Sequence, residues 1–212
     1  MKSANSYSPE QLAIMDSIIA RYPRSRSAIM PLLHYVQSIS GYVTPEGIEA
    51  ISGKLDIETA EVTAVSTFYT QYKSEPVGEY HVGVCINTLC AVMGGDAIYE
   101  AAKEHAGVSK DEVTSDGKVS LERIECNAAC DYAPVVMVNW EFYDNQTPQS
   151  VRHLIDGARN GNPPAPTRGP KSLRTWKENS EVLAGLSDGL AGEGVQAGDP
   201  SLLGLKIARG NS

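Results

Sequence analysis

VCINTLCAVMGG (84–95) and ECNAACDYAPV (125–135) hold every cysteine of the 212-residue chain. The cysteines fall into two close pairs, with spacings C-x4-C and C-x3-C, and 35 residues separate the pairs. They are Cys85, Cys90, Cys126 and Cys130. A span of that length accommodates a helix and a strand, so both pairs can reach one point. We therefore predict that the fold is organised around a metal centre whose ligands are these four thiolates.

Coordination chemistry leaves three interpretations of this donor set open. A structural zinc site takes four tetrahedral ligands, often in C-x2-4-C pairs, and both spacings fall in that range. A [2Fe–2S] cluster also takes four thiolates, and plant-type ferredoxins begin with C-x4-C. Disulfides or free thiols are the third, although MKSANSYSPEQ at the N-terminus lacks the apolar core of a secretion signal. A Rieske centre is disfavoured because no histidine lies within three residues after any cysteine. These grounds favour iron and sulfur.

Five segments extend the pattern beyond the cysteine spacing. They are PLLHYVQSISGYV (31–43), VSTFYTQY (65–72), GEYHVGVCINTLC (78–90), TSDGKVSLERIEC (114–126) and CDYAPVVMVN (130–139). Together they resemble the family of E subunits of bacterial NADH-quinone oxidoreductase (respiratory complex I), which are thioredoxin-like [2Fe–2S] proteins, over about residues 10 to 160. One departure is Asn127-Ala128, where the resemblance implies Leu-Gly; the cysteine spacing is retained.

The resemblance implies an electron-transfer subunit of an NADH dehydrogenase (quinone) with one [2Fe–2S] cluster. The implied ligands are Cys85, Cys90, Cys126 and Cys130. FMN and NADH are then expected on a partner subunit, whose flavin exchanges single electrons with the cluster. The expected partners are that flavin- and NADH-binding subunit and the large iron–sulfur subunit of the same complex. No catalytic residue is expected on this chain, because neither a nucleotide site nor a nucleophile–base set can be placed in it.

Three alternatives stay open on the sequence. The nearest is the homologous diaphorase subunit of an NAD-linked hydrogenase or formate dehydrogenase. The second is a free-standing ferredoxin that acts as a soluble shuttle, which needs neither a helical N-terminal domain nor a long tail. The third is a zinc-stapled interaction module without a redox role.

Charge and hydropathy limit the binding partners and the cellular location that the sequence allows. The net charge of −8 and the pI near 5.0 argue against nucleic acid and against docking on an anionic membrane surface. No apolar run approaches the roughly 18 residues of a membrane span. We predict a cytoplasmic protein without membrane insertion, held at the cell membrane only through its complex.

The predicted class is α+β, beginning with a helical bundle over residues 1–75. Its four helices are expected to start at Ser8, Ser27, Thr44 and Asp56, with Ser8 and Asp56 as N-caps and apolar residues at helical spacing along the helices. His34 lies beside the apolar face of the second helix and is predicted to be an ordinary core or surface residue, because no ligand stands at i+4.

A thioredoxin-like α/β [2Fe–2S] domain is predicted over residues 76–160, in the order β, α, β, β, α. The first strand, 79–84, delivers Cys85 at its end, where α/β folds gather ligands. A helix then runs from the Gly94-Gly95 turn to about Ala106. The strand from Val119 ends before Cys126, the strand 135–138 is apolar throughout, and the last helix starts near Gln146.

Residues 161–212 are predicted to be an irregular extension. NPPAPTRGP (162–170) reads as a stiff linker, and seven glycines follow between Gly185 and Gly210. Such a composition is typical of disorder, so we expect a partner subunit to order the extension. The G-x-G-x-x-A match at 192–197 follows no strand and is interpreted as chance.

Overall fold

The computed structural model describes residues 7–109 and 112–210, which divide into two units. Unit 1 is the chain up to Val77 together with Trp176–Ser187. Unit 2 is Gly78–Thr175 together with the chain from Asp188 onward. The extension predicted over 161–212 therefore contributes to both units. Its ordering by a partner subunit stays a prediction.

Unit 1 is a bundle of helices around an apolar core. The helices are α1 (Pro9–Ile19), α2 (Ile29–Ser40, after a 3₁₀ turn at Ser25–Ala28), α3 (Pro45–Leu55), α4 (Thr59–Phe68) and α8 (Trp176–Leu183). The predicted first cap is confirmed, because the Gln11 N–H donates to Ser8 Oγ at 3.2 Å and the Ser8 N–H donates to the Gln11 side chain at 2.8 Å. The core is built from side chains that recur at helical spacing, among them Met15, Ile18, Leu32, Leu33, Val36, Ile51 and Val62.

The role predicted for Asp56 as an N-cap is wrong. Asp56 instead ends α3 in the left-handed region, at φ 53°, and its N–H donates to the Ser52 carbonyl. An aspartate tolerates that conformation better than most residues, which suits it to a helix stop. The next helix begins three residues later, where the Glu58 N–H donates to Glu61 at 3.1 Å.

Helix α8, from the glycine-rich extension, packs in unit 1. Trp176 is 2% exposed, and its Nε1 donates to the Gly41 carbonyl at 2.7 Å. Gln37 is fully buried on α2, and its amide donates to the Ser180 hydroxyl at 3.3 Å and to the Gln71 carbonyl at 3.1 Å. The composition of the extension does not indicate this packing, because the partners Gly41 and Gln37 lie 135 and 143 residues earlier in the chain.

His34 is a buried residue of unit 1, as predicted. It is 5% exposed, its ring lies 4.8 Å from the Tyr72 ring, and its Nδ1 has no hydrogen-bond partner among the residues that the structure describes. Burial lowers the pKa of His34 to about 4, although a hydrogen bond with Gln71 opposes the shift. The ring is therefore neutral in the folded chain at neutral pH.

Acid is expected to destabilise unit 1 through His34. Because the pKa is lower in the folded state, the unfolded state binds more protons between pH 6.5 and 4. Stability contributed by the neutral ring is present above pH 6.5 and falls by about 3 kcal/mol as the pH drops to 4. Urea unfolding across this window should show the fall in the wild-type chain but not in His34→Leu. The same change at exposed His153 is the control, and an equal fall in His34→Leu and wild type would contradict the prediction.

Unit 2 contains a four-stranded sheet in the order β2-β1-β3-β4. The strands are β1 (Tyr80–Cys85), β2 (Val119–Ile124), β3 (Val136–Val138) and β4 (Glu141–Tyr143). Strand β1 pairs parallel with β2 and antiparallel with β3, and β4 is antiparallel to β3. Helices α6 (Gly95–Ala106) and α7 (Pro148–Arg159) contribute to the apolar core on one face. That core includes Val82, Val84, Ile98, Val119, Leu121, Val136, Val138, Leu154 and Ile155.

Strand β4 and the short helix α5 (Thr88–Val92) are additions to the predicted order. The β3–β4 hairpin turns on Asn139 and Trp140, both at positive φ (50° and 68°), a turn that Asn-Gly usually marks. Asn139 is held by its side chain, whose Oδ1 accepts the His81 N–H at 2.7 Å and whose Nδ2 donates to the Arg174 carbonyl at 2.8 Å. The predicted α+β class with an N-terminal helical bundle is confirmed.

Helix α9 (Asp199–Ala208) completes unit 2. No helix in 7–109 or 112–210 is both long and apolar enough to cross a membrane.

Candidate metal centre

The first cysteine pair lies on the face of the sheet opposite α6 and α7. Cys85 is the last residue of β1, and its N–H donates to the Val135 carbonyl at 3.1 Å. Because side chains alternate along a strand, Val82 and Val84 enter the helix-covered core while Cys85 points to the other face. There it joins the cysteine-side cluster, a group of buried apolar side chains. The cluster comprises Cys85, Cys90, Ile124, Ala129, Ala133, Val135 and Met137, with Trp140 and Phe142 packed against it.

Helix α5 places Cys90 next to Cys85, and both are nearly inaccessible, at 3% and 2% exposure. Gly94, at φ 108°, ends the short helix, and Gly95 starts α6. A Cβ on Gly95 would lie 2.6 Å from the Cys85 carbonyl oxygen and 3.0 Å from the Cys90 carbonyl oxygen. The sequence suggested that the Gly94-Gly95 pair serves a turn; the structure adds that Gly95 lets α6 approach both cysteine backbones.

The second cysteine pair is exposed. Cys126 follows β2, and Cys130 begins a 3₁₀ turn that ends at Tyr132. The two sulfur atoms are 3.8 Å apart, well beyond the roughly 2.05 Å of a disulfide bond. Ala128 takes the left-handed conformation, φ 55°, which directs its N–H to Cys126 Sγ at 3.4 Å. The departure at this position therefore still supplies an amide donor to sulfur.

Asn87 ties the first cysteine loop to the second. Its Nδ2 lies 3.4 Å from the Ile124 carbonyl oxygen and 3.3 Å from Glu125 Oε2, immediately before Cys126. These partners are 37 and 38 residues away along the chain, so no local sequence pattern indicates the contact. The side chain fixes the separation of the two loops that carry the thiols.

The pKa values of Cys90 and Cys130 are affected by thiols of both pairs. Burial raises the pKa of the Cys90 thiol to about 11, and the neighbouring Cys85 and Cys130 thiols raise it further, against a lowering hydrogen bond from the Val135 backbone. The pKa of Cys130 is raised first by its hydrogen bond with Cys126, then by the charge of Cys126 and, more weakly, of Cys85. Each pair therefore has a thiol of the other near enough to affect its titration, and the binding of one metal centre by all four sulfurs stays a prediction. A raised thiol pKa also argues against thiolate-driven disulfide exchange.

The donor set fits a two-iron cluster. All four cysteines are free thiols, grouped as two pairs, and a [2Fe–2S] cluster takes one pair on each iron. In the described part of the chain, no three His, Cys, Asp or Glu side chains are gathered tightly enough to hold a single metal ion. Amide donors at Ala128 and Val135 approach the sulfurs of Cys126 and Cys90, where they would stabilise negative charge.

Comparison with known proteins identifies the family. The sequence pattern of the thioredoxin-like [2Fe-2S] ferredoxin family matches residues 15–159. The E subunit of the Mycobacterium tuberculosis NADH-quinone oxidoreductase is 56% identical over 211 residues, which cover 97% of this chain and 83% of that protein. Subunit 2 of the same enzyme from Thermus thermophilus is 37% identical over 150 residues, covering 69% of this chain and 83% of that protein.

A solved NAD+-reducing [NiFe]-hydrogenase is similar in fold. The TM-score is 0.56 at 16% identity, over 64% of this chain and only 23% of the hydrogenase chain. At that identity the similarity shows the fold alone.

This chain belongs to the thioredoxin-like [2Fe–2S] ferredoxin family, whose cofactor is the [2Fe–2S] cluster. Within it, the chain is similar over nearly its whole length to the E subunits of bacterial NADH-quinone oxidoreductases. The resemblance found in the sequence is thereby confirmed, as is the thioredoxin-like fold.

Proposed function

We propose that this chain is an electron-transfer subunit of an NADH-quinone oxidoreductase and binds one [2Fe–2S] cluster through two thiol pairs. The ligands are Cys85, Cys90, Cys126 and Cys130. The observation that carries the proposal is the unequal burial of the pairs, since Cys85 and Cys90 are buried while Cys126 and Cys130 are exposed. When bound, the cluster supplies one-electron chemistry with the flavin of a neighbouring subunit.

The buried and the exposed cysteine pairs have different roles in the proposed site. The buried pair, inside the cysteine-side cluster, excludes water from one side of the site and fixes it to the end of β1. The exposed pair brings the other side to the protein surface, where a redox partner can approach closely. The apolar side chains of Leu89, Val92 and Met93, which are 41%, 81% and 52% exposed, flank Cys90 and suit contact with another protein.

FMN and NADH belong on the neighbouring subunit in this proposal. The flavin subunit and the large iron–sulfur subunit are the proposed partners, and membrane attachment on the cytoplasmic side comes through the complex. The 56% identity to NADH-quinone oxidoreductase subunits supports this assignment over a hydrogenase diaphorase, for which the similarity is one of fold.

Metal analysis of the purified chain separates an electron carrier from a zinc module. We expect about two irons per chain, no EPR signal when oxidised, and an S = 1/2 signal after dithionite. One zinc per chain and no reducible signal after anaerobic reconstitution would contradict the proposal. A monomer in crude lysate, free of other subunits, would instead favour a soluble shuttle.

The role beside the flavin is tested in the assembled enzyme. A one-electron acceptor near the flavin shortens the lifetime of the reduced flavin and so limits electron leakage to oxygen. Cys126→Ser and Cys130→Ser are therefore expected to slow flavin reoxidation and to raise peroxide production. Unchanged flavin kinetics and unchanged peroxide in both variants, with the cluster lost, would show that the cluster does not serve the flavin.

A further inference from the structure

Helix α9 is apolar on opposite sides and is not covered by the described part of the chain. It has no buried residue, and its large apolar side chains Leu202, Leu203, Leu205 and Ile207 are 43%, 58%, 44% and 65% exposed. With 3.6 residues per turn, Leu202 and Leu205 lie on one side of the helix and Leu203 and Ile207 on the other. Several large apolar side chains exposed on one short helix are typical of a surface that contacts another protein.

The segment before α9 is tethered to the edge of the sheet. The Thr167 N–H donates to the Phe142 carbonyl at 2.8 Å, which fixes the linker to β4. Buried Arg174 binds Glu141 on β4 at 3.2 Å and forms a two-point ion pair with Asp188, one arm of which measures 2.7 Å. The segment from Thr167 to Arg174 is therefore held to β4, and Asp188 is held to that segment.

Two backbone hydrogen bonds hold the segment just before α9 to the linker. Gly169 donates to the Val195 carbonyl at 3.0 Å, and the Gly194 N–H donates to the Gly169 carbonyl at 2.8 Å. A Cβ on Gly194 would lie 2.4 Å from the Gly169 carbonyl oxygen, so only glycine permits this approach. The path of the chain into α9 is thus set by contacts within unit 2.

The N-terminal end of α9 lies on the second cysteine loop. Ser201 donates to the Asp131 carboxylate, next to Cys130. Gly198 packs against Tyr132 so closely that a Cβ would lie 2.2 Å from the phenol oxygen. A protein that covers α9 therefore also approaches the exposed Cys126 and Cys130 thiols.

The charges on α9 and on the whole chain limit the class of partner that can cover this helix. The last turns of α9 carry Lys206 and Arg209, whereas its one acidic residue, Asp199, lies at the opposite end. A complementary groove is apolar, with carboxylates where the helix ends. A second copy of this chain is disfavoured because each copy carries a net charge of −8, and an anionic membrane is disfavoured for the same reason.

We propose that α9 is a docking helix that inserts into an apolar, acid-rimmed groove of the redox partner, the protein that exchanges electrons with the cluster. This inference rests on the proposed function and names the element that holds the redox partner over Cys126 and Cys130. Docking next to the exposed thiols fixes the distance between the two redox centres, since the tether leaves the start of α9 little freedom.

The test uses the assembled enzyme purified through a tag on this chain. The Leu203→Asp/Ile207→Asp variant places two charges on one side of α9 without touching the cysteine loops. We expect FMN per tagged chain to fall at least tenfold, while iron content and the reduced EPR signal of the chain stay at the wild-type level. Phe68→Asp is the control, because Phe68 is a large apolar side chain that is 77% exposed on α4 of unit 1, and it should retain FMN. Lys206→Glu/Arg209→Glu should make retention of FMN weaker at low salt.

Five results would overturn the docking role. The first is wild-type FMN in the Leu203→Asp/Ile207→Asp complex, and the second is loss of iron from that variant, which would make α9 a cluster-stabilising strap. The third is a wild-type dimer that the variant converts to monomer, and the fourth is binding of the wild-type chain, but not the variant, to phosphatidylglycerol vesicles. A wild-type complex with iron but no FMN would also overturn it, whereas a wild-type chain without iron would reject the proposed function itself.

Discussion

Cys126→Ser and Cys130→Ser are each expected to remove bound iron while the apo chain keeps its fold. Both positions are exposed, so exchange of sulfur for a hydroxyl leaves no buried polar group behind. A serine hydroxyl rarely loses its proton near neutral pH and is a poor replacement for a thiolate ligand. Because changes in outer-shell residues already cost 10–100-fold in metal affinity, loss of a ligand should lower iron occupancy by about tenfold or more. Iron and sulfide per chain, with the EPR amplitude after dithionite, measure the loss.

Substitution in the buried cysteine pair is expected to lower the stability of the apo chain, unlike substitution in the exposed pair. Cys90 is 3% exposed inside the cysteine-side cluster, so Cys90→Ser also places a hydroxyl among apolar side chains. Apo Cys90→Ser should be less stable than the apo wild type by about 1–3 kcal/mol, whereas apo Cys126→Ser should match it. Urea unfolding of the three apo chains makes the comparison. Full iron content and an unchanged EPR signal in Cys126→Ser would show that the ligand assignment is wrong.

Local rules account for the elements that were predicted correctly. The capping box at Ser8 involves partners three residues apart, and the position of Val82 and Val84 on one face of β1 follows from the alternation of side chains along any strand. The placement of Cys85 at the end of β1 follows from the same alternation and from the general position of ligand loops in α/β folds. Such features depend on neighbours in the chain, so the sequence alone determines them.

The features that escaped prediction depend on distant partners. Trp176 buries its ring in unit 1 through Gly41, 135 residues away, so composition alone suggests disorder for its segment. Arg174 pairs with Glu141 across 33 residues, and Asn87 reaches Glu125 across 38. Strand β4 is only three residues long, too short for an alternation to be recognised. Periodicity carries no information about contacts of this kind.

Gly95 shows how one unpredicted contact controls the site. It is buried at the start of α6, and an added methyl group would meet the carbonyl oxygens of Cys85 and Cys90. These are backbone atoms in β1 and α5, and a rotamer change cannot move them. Relief of the overlap must displace either α6 or the strand end and short helix that present the buried thiols.

Gly95→Ala is therefore expected to lower both iron content and stability, although it changes no ligand. Overpacking of this kind costs about 1–3 kcal/mol, and the displaced thiols should bind iron severalfold less well. Urea unfolding of the apo chain and iron per chain after reconstitution measure the two effects.

Gly53→Ala is the control, since its Cβ meets no atom within 4 Å and helix propensity should raise stability by up to about 1 kcal/mol with iron unchanged. Gly94→Ala, which has open space but φ 108°, separates backbone strain from overlap. Wild-type iron content in Gly95→Ala would mean that the approach of α6 does not position the buried pair.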